Sequence, residues 1–169
     1  MEFESRKPRQ KARELALITL YLYQLNSDDL SSYLDFKWFE DLASLKEDDL
    51  LYVNSEEKEN VYSFAKEILI GTISNIKIID EVIKKHLVNW KFERLRELDK
   101  ALLRISIYSI IYRYDIPSEV IISEANRLAT LYCEENTPYY VNGILHRVKE
   151  EFRGKIKKFT EDVKDGRTE

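Results

Sequence analysis

Apolar residues recur every three to four positions along most of this chain, the period of an amphipathic helix and not that of a strand. The first stripe is Ala12, Leu15, Ala16, Thr19, Leu22 and Tyr23. Pro8 suits a first helical turn, so the stripe predicts a helix from Pro8 to about Asn26. A weaker amphipathic segment follows over about Ser31 to Leu45, then an acidic loop from Lys46 to Asp49. Asn54 and Glu57 have the spacing of a capping box ahead of Val61, Phe64, Ala65, Ile68 and Leu69. Gly71 marks either a break or a close helix crossing before another helical stretch, about Ile73 to Leu87.

From about Phe92 to Arg113 the pattern changes. Ala101, Leu102, Leu103, Ile105, Ile107, Tyr108, Ile110 and Ile111 leave this helix apolar almost all round, which predicts a central buried helix. Arg104 lies within the run and needs a carboxylate partner or a route to the surface. Asp115-Ile116-Pro117 ends the helix, because residues before proline avoid the α region. Another helix is predicted from about Ser123 to Cys133. Thr137 and Pro138 then cap and start the last one, Tyr139 to about Phe152. The expectation is an all-α protein of six to seven helices, without internal repeats.

Composition narrows the function classes. A chain of 169 residues forms one domain, or two small subdomains sharing a core. The single cysteine, Cys133, allows no intrachain disulfide and fits a reducing compartment. No apolar run approaches the roughly 20 residues that cross a bilayer, and the start lacks the apolar core of a signal peptide. A soluble cytoplasmic protein with no membrane association is expected. With four glycines, neither a P-loop nor a dinucleotide fingerprint can be built. His86, His146 and Cys133 do not lie at metal-site spacing, there is no GxSxG nucleophile elbow, and Glu134-Glu135 reads as solvated surface. No enzyme, cofactor or metal is expected.

Charge is segregated. The net charge is −4, yet Arg6, Lys7, Arg9, Lys11 and Arg13 crowd the start. Cations there oppose the helix macrodipole at about 0.3–1 kcal/mol each. Composition alone leaves two readings, a solvated tail or a site completed by an external anion. Arg9 and Arg13, four apart, share one helix face. Between Asn26 and Asn60 eleven acids face three lysines, while Arg153-Gly154-Lys155-Ile156-Lys157-Lys158 is basic again, so an acidic average does not exclude a nucleic-acid partner.

Four stretches in order carry a resemblance. They are Arg9-Gln10-Lys11-Ala12-Arg13-Glu14 leading to Leu20-Tyr21-Leu22-Tyr23-Gln24-Leu25, then Leu98 through Tyr108. Asp115-Ile116-Pro117 with Ile122-Ser123-Glu124-Ala125 follows, then Tyr140-Val141-Asn142-Gly143-Ile144-Leu145. Over roughly residues 9–152 the chain resembles the NusB family of transcription antitermination factors. The resemblance implies a NusB-like fold, two packed helical bundles around the central buried helix. It implies one RNA-binding helical domain, taken over residues 1–153 with the basic N-terminal segment 1–8, while composition makes residues 154–169 a charged, mobile tail. It also implies binding of the single-stranded boxA element of nascent ribosomal RNA together with a small-subunit ribosomal protein, NusE. That complex modifies RNA polymerase and supports rRNA maturation, without catalysis or cofactor.

By the same resemblance, RNA contacts fall on Arg6, Arg9 and Arg13, and on Asn136 and Tyr140 by the last helix. Tyr132, Tyr139 and Tyr140 offer aromatic faces for base stacking, with core packing as the alternative. The partner surface maps to Tyr21, Glu93 and Asp99, although Asp99 also suits a helix start through the dipole. Arg104 is expected to form an internal ion pair with Glu124. Asn136 stands where some members are acidic, Tyr139 where Lys is frequent and His146 where Asp is frequent, so the RNA-facing edge differs from the usual one. A helical protein-interaction module without direct RNA binding is the competing expectation.

Overall fold

In a computed structural model of the chain, residues 7–26, 28–44 and 53–164 are described, and all their regular structure is helical. Arg6 and the acidic loop from Lys46 to Asp49 lie outside them. The chain divides into two compact units, Met1–Ser74 and Asn75–Glu169.

The first unit is built on α1 (Pro8–Leu25) packed against α3 (Lys58–Ser74). Gln10 Oε1 accepts the Lys7 amide at 3.1 Å at the start of α1. Leu17 and Leu20 are buried with Ala12, Leu15, Ala16 and Thr19, whereas Leu22 and Tyr23 reach only half-burial. The segment expected from Ser31 divides into a 3-10 turn, Leu30–Ser32, and α2 (Lys37–Ser44). Phe36 separates them with a left-handed φ of 55°. That conformation costs roughly 1–2 kcal/mol, and burial of the ring, 4.8 Å from that of Tyr62, offsets it by a similar amount. The Phe36 carbonyl accepts the amides of Phe39 and Glu40 at 3.0 and 3.1 Å, which starts α2. Asn54 Oδ1 accepts the Glu57 amide at 2.8 Å, as a capping residue does. Gly71 breaks nothing: α3 runs through it, and the chain turns at Asn75.

The second unit holds α4 (Ile76–His86), α5 (Glu97–Tyr112), α6 (Ser118–Tyr132) and α7 (Thr137–Lys164). The central helix starts later than its apolar pattern suggests. Phe92–Arg94 form a 3-10 turn, the chain is extended at Leu95 and Arg96, and α5 begins at Glu97. Every residue from Asp99 to Ile110 is buried, and α4, α6 and α7 all pack on α5. Helix α6 begins at Ser118 because the Pro117 carbonyl accepts from Val120 and Ile121; a proline at a helix start sacrifices no needed donor. The last helix continues beyond the expected end near Phe152 to Lys164, since one glycine inside a helix costs only about 1 kcal/mol.

Arg104 has its internal ion pair, but with Asp80 of α4 and not Glu124. Its Nε and one terminal nitrogen each lie 2.8 Å from an Asp80 carboxylate oxygen. Glu124 is held by Arg127, three residues along α6, at 3.0 Å. Sequence spacing could not show that α4 presents a carboxylate to Arg104 in the fork geometry a guanidinium favours. Arg153, the last residue of the expected domain, donates to the carbonyls of Ser109, Ile110, Arg113 and Ile116.

Candidate nucleic-acid interface

In the first unit, the start of α1 carries no acid in its first turn. Arg9 is exposed, and its guanidinium carbon sits 3.9 Å from the centroid of the Phe64 ring on α3; that of Arg13 lies 5.4 Å from the same centroid. One Arg13 terminal nitrogen donates to the Arg9 carbonyl at 3.4 Å. The ring face attracts both cations, so two arginines one helical turn apart are held by one aromatic platform. Lys11 differs: its ammonium is spent on Glu57 at 2.8 Å, fastening α1 to the start of α3. Arg6 lies outside the described residues. Tyr21 is half-exposed on α1.

In the second unit, Asn136, Tyr139 and Tyr140 line one groove of about 640 Å³. Asn136 is exposed, Tyr139 is 79 % exposed and Tyr140 is half-buried. Helix α7, which starts beside them, has no acid in its own first turn; the carboxylate at its start is Asp99 of α5. Tyr132 is half-buried at the end of α6.

Asp99 is not available to dock a partner. It is 4 % exposed, and its carboxylate accepts a short hydrogen bond from the Tyr140 hydroxyl and a 3.4 Å one from Thr137 Oγ1. Burial and then the Asp99 carboxylate push the Tyr140 phenol up from its ordinary value. The expectation of a surface carboxylate fails because α7 folds its first turn over the start of α5. Asp99 therefore positions Tyr140, one link between the two assignments that sequence kept apart. Of the expected partner residues in this unit, Glu93 is the exposed one.

Cys133 shares this cluster. Burial, then its hydrogen bond to Asp99, pushes its thiol up to about 12. The unfolded chain keeps a thiol near 8.5, so this contact's stabilisation is present below that pH and is lost as pH rises towards 12. Iodoacetamide at about pH 8 is expected to label the native protein slowly and the urea-unfolded protein at the ordinary thiol rate. Equal rates would remove Cys133 from the Asp99 cluster.

Sequence reasoning missed Phe64 as the arginine platform, and Trp90, Arg94 and Arg147 as groove residues. Phe64 carried only the signal of a core position. Trp90, in a polar loop, was the one visible hint.

Two helical units that offer stacked arginines and exposed aromatic faces define a binding protein of the nucleic-acid-associated, all-α class. The chain belongs to the NusB family of transcription antitermination proteins, whose sequence profile matches residues 10–150. It is 36 % identical over 145 residues to the transcription antitermination protein NusB of Thermodesulfovibrio yellowstonii, covering 85 % of this chain and 92 % of that one. The Treponema denticola protein of the same name is 36 % identical over 141 residues, covering 83 % and 95 %. Among solved structures, T. maritima NusB superposes with a TM-score of 0.64 at 29 % identity, covering 86 % of this chain and 93 % of that one. A chain from the complex of antitermination factors NusB and NusE with double-stranded RNA gives 0.68 at 22 % identity, covering 86 % and 98 %, a likeness of fold. No helix among the described residues is long and apolar enough to cross a membrane.

Proposed function

We propose that this chain acts in antitermination as a non-catalytic cytoplasmic factor that holds boxA-type single-stranded RNA jointly with the ribosomal protein NusE. The complex then modifies RNA polymerase and assists rRNA maturation. The observation that carries the RNA assignment is the pair Arg9 and Arg13 on Phe64. Ordering long side chains before binding lowers the entropic cost of gripping a phosphodiester. Arg6, preceding the pair, extends the basic run. Asn136, Tyr139 and Tyr140, with Tyr132 nearby in sequence, supply polar and stacking contacts on the second unit. Glu93 and Tyr21 remain the residues proposed for the basic protein partner, which a carboxylate would steer electrostatically. The relative solved with NusE and double-stranded RNA supports NusE and RNA as the partners, and the single-stranded form is this proposal's own.

The double variant Arg9→Ala/Arg13→Ala is expected to weaken binding to boxA-type RNA by at least about tenfold. It should flatten the plot of log affinity against log salt by roughly 0.7 for each phosphate that is no longer neutralised. Helicity should be retained, because cation–π contacts at exposed sites contribute only about 0.5–1 kcal/mol each. Fluorescence anisotropy with and without NusE measures both quantities. Unaltered affinity and slope would refute the site. Association with NusE in the absence of any RNA binding would put the protein-interaction module in its place.

A further inference from the structure

The groove of the second unit contains more than the residues so far assigned to RNA. Trp90 contributes an indole that is 55 % exposed, in the loop between α4 and α5, and Tyr139 faces the same space from the start of α7. Leu95 and Ile144, both buried, supply apolar lining. The volume of about 640 Å³ falls within the range of pockets that enclose a small planar ligand.

Its charge selects an anionic occupant. Two acids line it: Glu134 is paired with Arg96, and Asp99 is buried beneath the Tyr140 and Thr137 hydroxyls, which bond it without neutralising it, so one carboxylate stands against Arg94 and Arg147. Arg94 and Arg147 have no carboxylate in ion-pair distance among the described residues. Arg147 is aimed by its hydrogen bond to the His86 carbonyl at 2.7 Å. Aromatic faces over an apolar lining, flanked by unneutralised arginines, match one chemistry: a flat heteroaromatic base joined to a phosphodiester.

We propose that this groove captures one unstacked nucleotide of the bound single-stranded RNA. Its base stacks on Trp90, beside Tyr139, and its flanking phosphates are held by Arg94 and Arg147. The inference rests on the RNA-binding reading above and adds a position-specific pocket to it. A pocket that takes one base makes binding sensitive to that nucleotide and far less sensitive to its neighbours.

The test uses the full chain and a boxA-type RNA, with a second set of RNAs each made abasic at one position. Trp90→Ala should weaken binding of the intact RNA by roughly tenfold. One abasic RNA should show the same loss and no further loss with Trp90→Ala, while the other positions remain additive. In a Trp38→Phe background Trp90 is the only tryptophan, and its fluorescence should be quenched as RNA is added. Trp90→Ala in the otherwise native chain gives the affinity result independently of that background. RNA binding that keeps its dependence on Arg9 and Arg13, but couples no position to Trp90, overturns the pocket alone. Absence of RNA binding with NusE present overturns both the pocket and the RNA reading. Quenching of Trp90 by NusE, with RNA adding nothing, assigns the groove to the protein and also overturns the proposal.

Discussion

Asp80→Ala is expected to destabilise the protein by about 3–5 kcal/mol, while Glu124→Ala costs roughly 1 kcal/mol. The contrast follows from what each carboxylate neutralises. Arg104 sits inside a fully buried stretch of α5, and its side chain retains 10 % of its exposure against 20 % for Asp80. Two parallel bonds of 2.8 Å match the planar fork of a guanidinium to a carboxylate. The Phe92 ring lies 5.8 Å from the Arg104 guanidinium carbon and adds a weaker attraction. Removal of Asp80 therefore strands a desolvated charge, the costly way to break such a pair. Glu124 and Arg127 lie three apart on one helix, where an ion pair contributes much less. Urea denaturation followed by helicity measures both changes. Arg104→Met added to Asp80→Ala should recover much of the loss, because the stranded charge is then gone. Equal losses for the two single variants would show that Asp80 is not the residue that makes Arg104 tolerable in the core.

That pair also marks where sequence stops being informative. The α1, α3 and α5 stripes were legible because burial repeats every turn, and a local period needs no knowledge of the partner helix. The Asn54 cap was legible for the same reason, since its acceptor and donor are three residues apart. The identity of the partner of Arg104 was not, because it depends on which α4 residue faces α5. Element starts were missed where a tertiary contact decided them. Burial of the Phe36 ring stabilises a left-handed residue and so delays α2, and Pro117 starts α6 five residues before its apolar pattern becomes clear. In the site, Arg9 and Arg13 were visible as a one-turn pair. That Lys11 between them is consumed by Glu57, and that Asp99 is buried under Tyr140, required the packing of separate helices. The groove was the least legible feature. Trp90, Arg94, Tyr139 and Arg147 come from two separated stretches and have no common period.

Arg153→Ala should cost about 3 kcal/mol and lower the melting temperature by roughly 6–12 °C, although a single-sequence reading places this residue at the edge of a solvated tail. The last four carbonyls of a helix have no intrahelical donors, and α5 ends in a tight connection to α6. Arg153 reaches across from α7 to satisfy that corner. Its Nε donates to Ile110 O at 2.8 Å and one terminal nitrogen to Ser109 O and Arg113 O at 2.9 and 2.8 Å. The other terminal nitrogen donates to Ile116 O at 2.7 Å and to Ser118 Oγ at 3.2 Å. A single side chain thus joins the end of α5, the 113–117 turn and the start of α6. Its positive charge also lies at the negative end of the α5 dipole. Hydrogen bonds from a charged donor contribute about 1.5–3 kcal/mol in isolation. The sum is discounted because solvent can replace some of them when the side chain is removed. Arg153→Lys separates geometry from charge. Lysine keeps the dipole interaction, but a single ammonium cannot span carbonyls distributed over this corner, so the variant should recover less than half of the loss. Full recovery by lysine would reduce the role of Arg153 to its charge, and a loss under about 1 kcal/mol for alanine would show that it does not hold this corner.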